Sequence, residues 1–112
     1  MRFLYVHIPF CVEKCHYCDF VSYDASLEQR ETYLQSLIKE AALHREDKPE
    51  DGLLTIYFGG GTPSLLTAAH LEMLLEAFQR NFGFAKRMEI TLEANPETVS
   101  LRYLKNIRGL DI

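Results

Sequence analysis

The 112-residue sequence has no run of eighteen apolar residues, so no segment of it can be assigned as a membrane span. Its opening stretch, Met1 to Pro9, lacks a long apolar core and a small-residue cleavage site, so no secretory leader is read there and the expected location is the cytoplasm. Positive charge is not in excess either. Lys plus Arg is 12 against 16 Asp plus Glu, a formal net charge of −4, which speaks against tracking a nucleic-acid backbone. There is no repeat and no low-complexity tract. Cysteine is scarce, with three in all, an odd number confined to positions 11–18, which excludes a disulfide framework. What remains is an ordinary globular composition, 47% apolar and 25% charged. A chain of this size buries roughly two thirds of its unfolded surface, enough for a core.

Three segments read as strands. Residues 2–8 (RFLYVHI) are aromatic and β-branched and stop at Pro9. Residues 53–58 (LLTIYF) form an apolar run ahead of three glycines, predicting a strand buried on both faces. Residues 88–93 (MEITLE) alternate apolar with polar and end before Asn95-Pro96.

Helices are predicted between and after them. Ser26 and Gln29 make a capping box for a helix over about 27–45, with Leu34, Leu37, Ile38 and Ala41 on its apolar face. Thr67 caps a second helix whose face is Leu71, Leu74, Leu75, Phe78 and Phe82, with Gly83 as its stop. Phe78 and Phe82 read as core packing. Ser100 caps a third, with Leu101, Leu104 and Ile107 inward, ending near Gly109 or Asp111.

The order β-α-β-α-β-α implies parallel strands joined by right-handed crossovers. A complete eight-unit barrel takes roughly 250 residues, about 31 per unit, so the chain holds three units of an α/β, TIM-barrel-like architecture. Residues 1–112 are thus expected to be part of a larger core domain.

Cys11, Cys15 and Cys18 stand directly after the first strand in a C-x3-C-x2-C spacing. A loop this short can wrap a compact inorganic centre and turn three sulfurs inward. Structural zinc sites take four ligands, usually in two separated pairs, whereas a cubane iron–sulfur cluster takes one thiolate per iron. Three thiolates leave one iron open to an outside ligand. The alternatives are a Cys3His zinc site completed by His7, His16 or His44, and three unrelated thiols.

This spacing, with Tyr17 before the last cysteine, resembles the signature of radical S-adenosylmethionine (SAM) proteins. The wider string Tyr5-Val6-His7-Ile8-Pro9-Phe10-Cys11, Gly59-Gly60-Gly61-Thr62-Pro63 and Glu93-Ala94-Asn95-Pro96-Glu97 are similar to the oxygen-independent coproporphyrinogen III oxidase family and its HemW-type heme-chaperone branch. The similarity covers essentially the whole chain and about the first third of a family member. It implies a partial radical SAM (β/α) core and a [4Fe-4S] cluster held by Cys11, Cys15 and Cys18. The open iron would be chelated by the amino and carboxylate groups of SAM, which the reduced cluster cleaves to a 5′-deoxyadenosyl radical. It further implies SAM, an electron donor and heme or a porphyrinogen as partners. The oxidases carry another cysteine two positions after the third ligand, where this sequence has Phe20, a departure that favours the heme-chaperone branch.

By the same resemblance Gly60, Gly61 and Thr62 contact the methionine end of SAM, Glu93 its ribose or amine, Tyr17 shelters the adenine, and Tyr5 is a further SAM contact. On the residues alone, a glycine run lets backbone groups approach a ligand and permits positive φ, but also suits a bare strand-to-helix turn. Glu93 could equally be a solvated strand-end carboxylate and Tyr5 a plain strand aromatic. His7 and His16 are read as structural. The cysteine segment, the glycine run and Glu93 each follow the C-terminal end of a different strand, the edge at which α/β sheets bind ligands. The rival readings are an oxidative porphyrinogen decarboxylase, a zinc-stabilised βα module without catalysis, and an inactive truncated remnant.

Overall fold

The computed structural model describes residues 2–10, 27–94 and 99–112. Its elements run β1 (Phe3–Ile8), α1 (Leu27–Leu43), β2 (Leu53–Gly60), α2 (Ala68–Phe82), β3 (Phe84–Leu92) and α3 (Leu101–Arg108), with 3-10 turns at Arg45–Asp47 and Pro63–Leu65. The three strands form one parallel sheet in the order β1-β2-β3. Phe3 pairs with Thr55 and Tyr5 with Tyr57 on one side of β2, while Thr55 pairs with Glu89 and Tyr57 with Thr91 on the other. The alternation of βα units therefore gives the expected α/β architecture, part of a (β/α) core.

One face of the sheet carries the core. Val6 and Ile8 of β1, Ile56 and Phe58 of β2 and Ile90 of β3 pack with Leu34 and Ala41 of α1, Leu71, Leu74, Phe78 and Phe82 of α2, and Ile107 of α3. Phe78 and Phe82 are core residues as expected, and the Phe78 ring centroid lies 6.4 Å from that of Phe58. Thr67 caps α2 by accepting the His70 N–H at 3.1 Å, and Ser100 caps α3 by accepting the Tyr103 N–H at 3.1 Å. Gly83 ends α2 at φ 75°, where its N–H reaches Gln79 O. The capping box involving Ser26 lies outside the described residues.

Four expectations are corrected. β2 is not buried on both faces: its second face, continuous with that of β1, leaves Phe3 69%, Tyr5 58% and Tyr57 38% exposed. α1 stops at Leu43 and not Arg45, because the Arg45–Asp47 turn takes over and the Arg45 guanidinium donates to Asn81 Oδ1 of α2 at 3.2 Å. β3 starts at Phe84, four residues early. Gly83 hands the chain straight from α2 to the sheet, Leu53 N–H bonding to Gly83 O at 2.9 Å, and a register irregularity separates this first pairing from the regular ladder. In α3, Leu101 and Leu104 point outward, 69% and 45% exposed, and Tyr103 takes the inward place with Ile107. The tyrosine wins because its hydroxyl reaches the Leu66 carbonyl, at 2.8 Å, while its ring joins the core.

Candidate functional site

A parallel sheet puts the C-terminal ends of its strands on one edge, and the sequence features converge there. The glycine run belongs to the strand more than expected: β2 continues through Gly59 and Gly60, which pair with His7 and Ile8. Gly60 sits at φ 113°, and a Cβ on it would lie 2.8 Å from Ile8 O and 2.9 Å from His7 Cε1. Only glycine fits that backbone without strain. Gly59 serves a different purpose. A Cβ there would meet Tyr57 Cε1 at 2.8 Å and Tyr5 Cε2 at 2.9 Å, so its bare Cα makes room for two tyrosine rings.

Those rings stack across the β1–β2 ladder with centroids 5.9 Å apart and planes inclined by 17°. The Tyr5 hydroxyl and His7 Nδ1 are 3.3 Å apart, which ties His7 to the same face. Glu93, the residue after β3, is anchored by its N–H to Phe58 O at 3.0 Å. Its carboxylate is held at both oxygens: Oε2 accepts the Tyr57 hydroxyl at 2.8 Å and Oε1 the Gly60 N–H at 3.0 Å. Glu93 is therefore not a freely solvated strand-end residue. The bond to Glu93 and, after it, partial burial and the carboxylate's charge push the Tyr57 hydroxyl pKa above 10.0, so that Tyr57 stays a protonated donor.

Gly60, Gly61, Thr62, Glu93 and Ala94 line a polar depression at this edge. Its backbone donors are already in use. Gly60 N–H bonds to Glu93, Gly61 N–H to Ile8 O at 2.8 Å and Thr62 N–H to Phe10 O at 2.6 Å. The N–H groups of the glycine run are thus spent on internal bonds, which leaves its carbonyls and its bare Cα atoms for close approach. What this corner offers is chiefly an acceptor, the Glu93 carboxylate, suited to an ammonium or a sugar hydroxyl. Thr62 is 7% exposed, and its hydroxyl makes no capping bond to the turn that follows.

Cys11, Cys15, Cys18 and Tyr17 lie outside the described residues, as do His16 and Phe20. The residue that leads into them is firmly placed. Phe10 is fully buried against Tyr33, ring centroids 5.3 Å apart, and its carbonyl meets Thr62. Phe10, the last described residue before the cysteines, therefore lies beside the polar depression. His44, one candidate for a zinc ligand, follows the C-terminus of α1 and pairs with Asp47 at 3.3 Å, at the opposite edge of the sheet.

The family model described as the radical SAM superfamily matches residues 5–112. The chain belongs to the radical SAM superfamily. It is 43% identical over 103 residues to the heme chaperone HemW of Escherichia coli strain K12, an alignment covering 86% of this chain and 26% of that protein. HemW of Haemophilus influenzae is 41% identical over 107 residues, 91% of this chain and 28% of the relative. The chain spans little more than a quarter of the length of these relatives. Among solved structures it is similar to coproporphyrinogen III oxidase (HemN) from Escherichia coli, a radical SAM enzyme, with a TM-score of 0.85 at 30% identity over 95% of this chain and 25% of that one. Both the superfamily and the partial (β/α) core expected from the sequence hold.

Sequence reading missed Tyr57. It sits among apolar neighbours in a run that reads as core, and only the open second face of the sheet shows that its hydroxyl reaches Glu93.

Proposed function

We propose that this chain forms the cluster- and SAM-binding corner of a radical SAM protein of the heme-chaperone type, as one part of a larger core. The observation that carries this reading is the Glu93 carboxylate, held between Tyr57 and Gly60 at the sheet edge where β1 ends. A fixed carboxylate beside a glycine whose Cα cannot accept a Cβ fits the amino-acid end of SAM, whose ammonium needs an acceptor and close backbone approach. Cys11, Cys15 and Cys18 would bind three irons of a [4Fe-4S] cluster and leave the fourth open. Bound together, cluster and SAM supply one-electron reductive cleavage of the sulfonium, with an electron donor as a further partner.

The chain's own residues bind and orient. Glu93 accepts hydrogen bonds from the SAM amine or ribose, Gly60 and Gly61 let the ligand approach, and Thr62 lends a hydroxyl. Tyr5, stacked on Tyr57, is a further SAM contact, and Tyr17, between two cysteines, shelters the adenine. A thiolate-bound cluster suits a reducing compartment, in keeping with the cytoplasm. Heme is the favoured cargo over a porphyrinogen substrate: relatives named heme chaperones reach 43% identity against 30% for the oxidase, and Phe20 replaces the oxidases' additional cysteine.

The test is anaerobic reconstitution of the complete protein. About four irons and four sulfides, with visible absorption bleached by dithionite, are expected, and Cys15→Ala should lose them. Colourless material that binds zinc instead overturns the reading. Heme transfer to an acceptor without decarboxylation of coproporphyrinogen supports the chaperone assignment; decarboxylated product replaces it with the oxidase.

A further inference from the structure

A glutamate just beyond a strand end ordinarily samples several rotamers, and fixing one of them works against side-chain entropy. Glu93 is exposed, so no surrounding core restricts it. Its backbone is set by the N–H bond to Phe58 O, but this does not aim the carboxylate. The Gly60 N–H holds Oε1 only, and a single contact leaves the group free to swing about it. The second contact, from the Tyr57 hydroxyl to Oε2 at 2.8 Å, makes the orientation unique. Each oxygen keeps acceptor capacity for a ligand.

Tyr57 is itself fixed before any ligand arrives. Its ring stacks on Tyr5 at 5.9 Å over the space left by Gly59, and the raised pKa of its hydroxyl keeps the proton in place. The register explains why this pair forms: Tyr57 lies directly across the ladder from Tyr5, on the face that carries no helix among the described residues.

We infer that Tyr57 is a positioning residue for SAM binding, acting through Glu93: its hydroxyl pre-aims the carboxylate that receives the cofactor's amine or ribose. This rests on the assignment of Glu93 above. Pre-organisation of this kind lowers the ordering penalty of binding and so acts on affinity. Tyr57 need not touch SAM to do so.

A double-mutant cycle on the anaerobically reconstituted complete protein tests this, with the dissociation constant for SAM read by calorimetry. Tyr57→Phe keeps the stacked ring and removes only the hydroxyl. It should weaken SAM binding about 5- to 20-fold with iron content and melting temperature unchanged. In a Glu93→Ala background the same change should move affinity less than about twofold, because the carboxylate it aims is gone. Equal losses in both backgrounds would show Tyr57 acting independently of Glu93 and overturn the inference. So would an unchanged affinity in Tyr57→Phe alone while Glu93→Ala binds weakly. If Glu93→Ala binds SAM like the parent, the assignment of Glu93 itself fails, which is a different result from either of these.

Discussion

Gly60 allows a sharp test of how the ligand-facing edge is built, because two separable strains bear on it. The first is conformational: at φ 113° an alanine would be held outside the regions open to L-residues, worth about 1 to 3 kcal/mol. The second is steric. The new Cβ would lie 2.8 Å from Ile8 O and 2.9 Å from His7 Cε1. Ile8 O cannot retreat easily, since it accepts the Gly61 N–H at 2.8 Å, so relief must come from the backbone, at about 1 to 3 kcal/mol more. Alanine stiffens the unfolded chain and returns about 0.4 to 1 kcal/mol. Gly60→Ala should therefore destabilise by about 1 to 5.5 kcal/mol.

Two other glycines separate the terms. Gly83, at φ 75° and ψ 157°, has Lys48 Cε at 3.7 Å as its nearest prospective neighbour, so Gly83→Ala carries only the conformational part, about 1 to 3 kcal/mol less the same return. Gly109, at φ −63°, is free of conformational strain and its Cβ would meet Asn106 O at 3.3 Å, so Gly109→Ala is expected within about 1 kcal/mol of the parent. Urea unfolding at constant m-value ranks the three. If Gly60→Ala loses no more than Gly83→Ala, the close approach between β2 and β1 at Ile8 is wrong, and with it the cradle at Gly60.

Two further outcomes are expected. Burial pushes the Tyr103 hydroxyl from 10.0 up to about 12, so the folded state keeps a proton that the unfolded chain has released, and stability should fall as pH rises between those values. Tyr103→Phe should lose about 1 kcal/mol at neutral pH, through its bond to Leu66 O, and show a shallower alkaline decline in urea midpoint; an equally steep decline would refute the assignment. Thr67→Ala should cost about 1 kcal/mol by exposing the His70 N–H of α2, and Thr67→Ser should restore most of it by the same unfolding assay.

The elements legible in the sequence were those written in local chemistry. Thr67, Gly83 and Ser100 announce helix boundaries because a cap is an interaction between residues three or four apart. The register of β3 was not legible in the same way. Its early start depends on Leu53 meeting Gly83, thirty positions further along the chain, and no alternation in residues 84–87 records that. The face of α3 was misread for a related reason: Leu101 and Leu104 have the right period, but the partner for that helix is the Leu66 carbonyl, which rewards a tyrosine hydroxyl over a leucine.

The candidate site divides along the same line. That Cys11, the glycine run and Glu93 follow three successive strand ends could be read by counting βα units, since topology alone puts those ends on one edge. The condition of Glu93 could not. Its two fixing bonds span 36 residues to Tyr57 and 33 to Gly60, and both arise from the parallel register of β2 with β3. The tyrosine was hidden further by the assumption that β2 is buried on both sides. In a run such as LLTIYF, apolar and aromatic residues make an enclosed strand look the same as one whose alternate face is open. Once the helices are confined to one face, Tyr5, Tyr57 and Gly59 fall on the other. The charged acceptor that the Tyr57 hydroxyl meets on that face is the carboxylate the sequence had already marked.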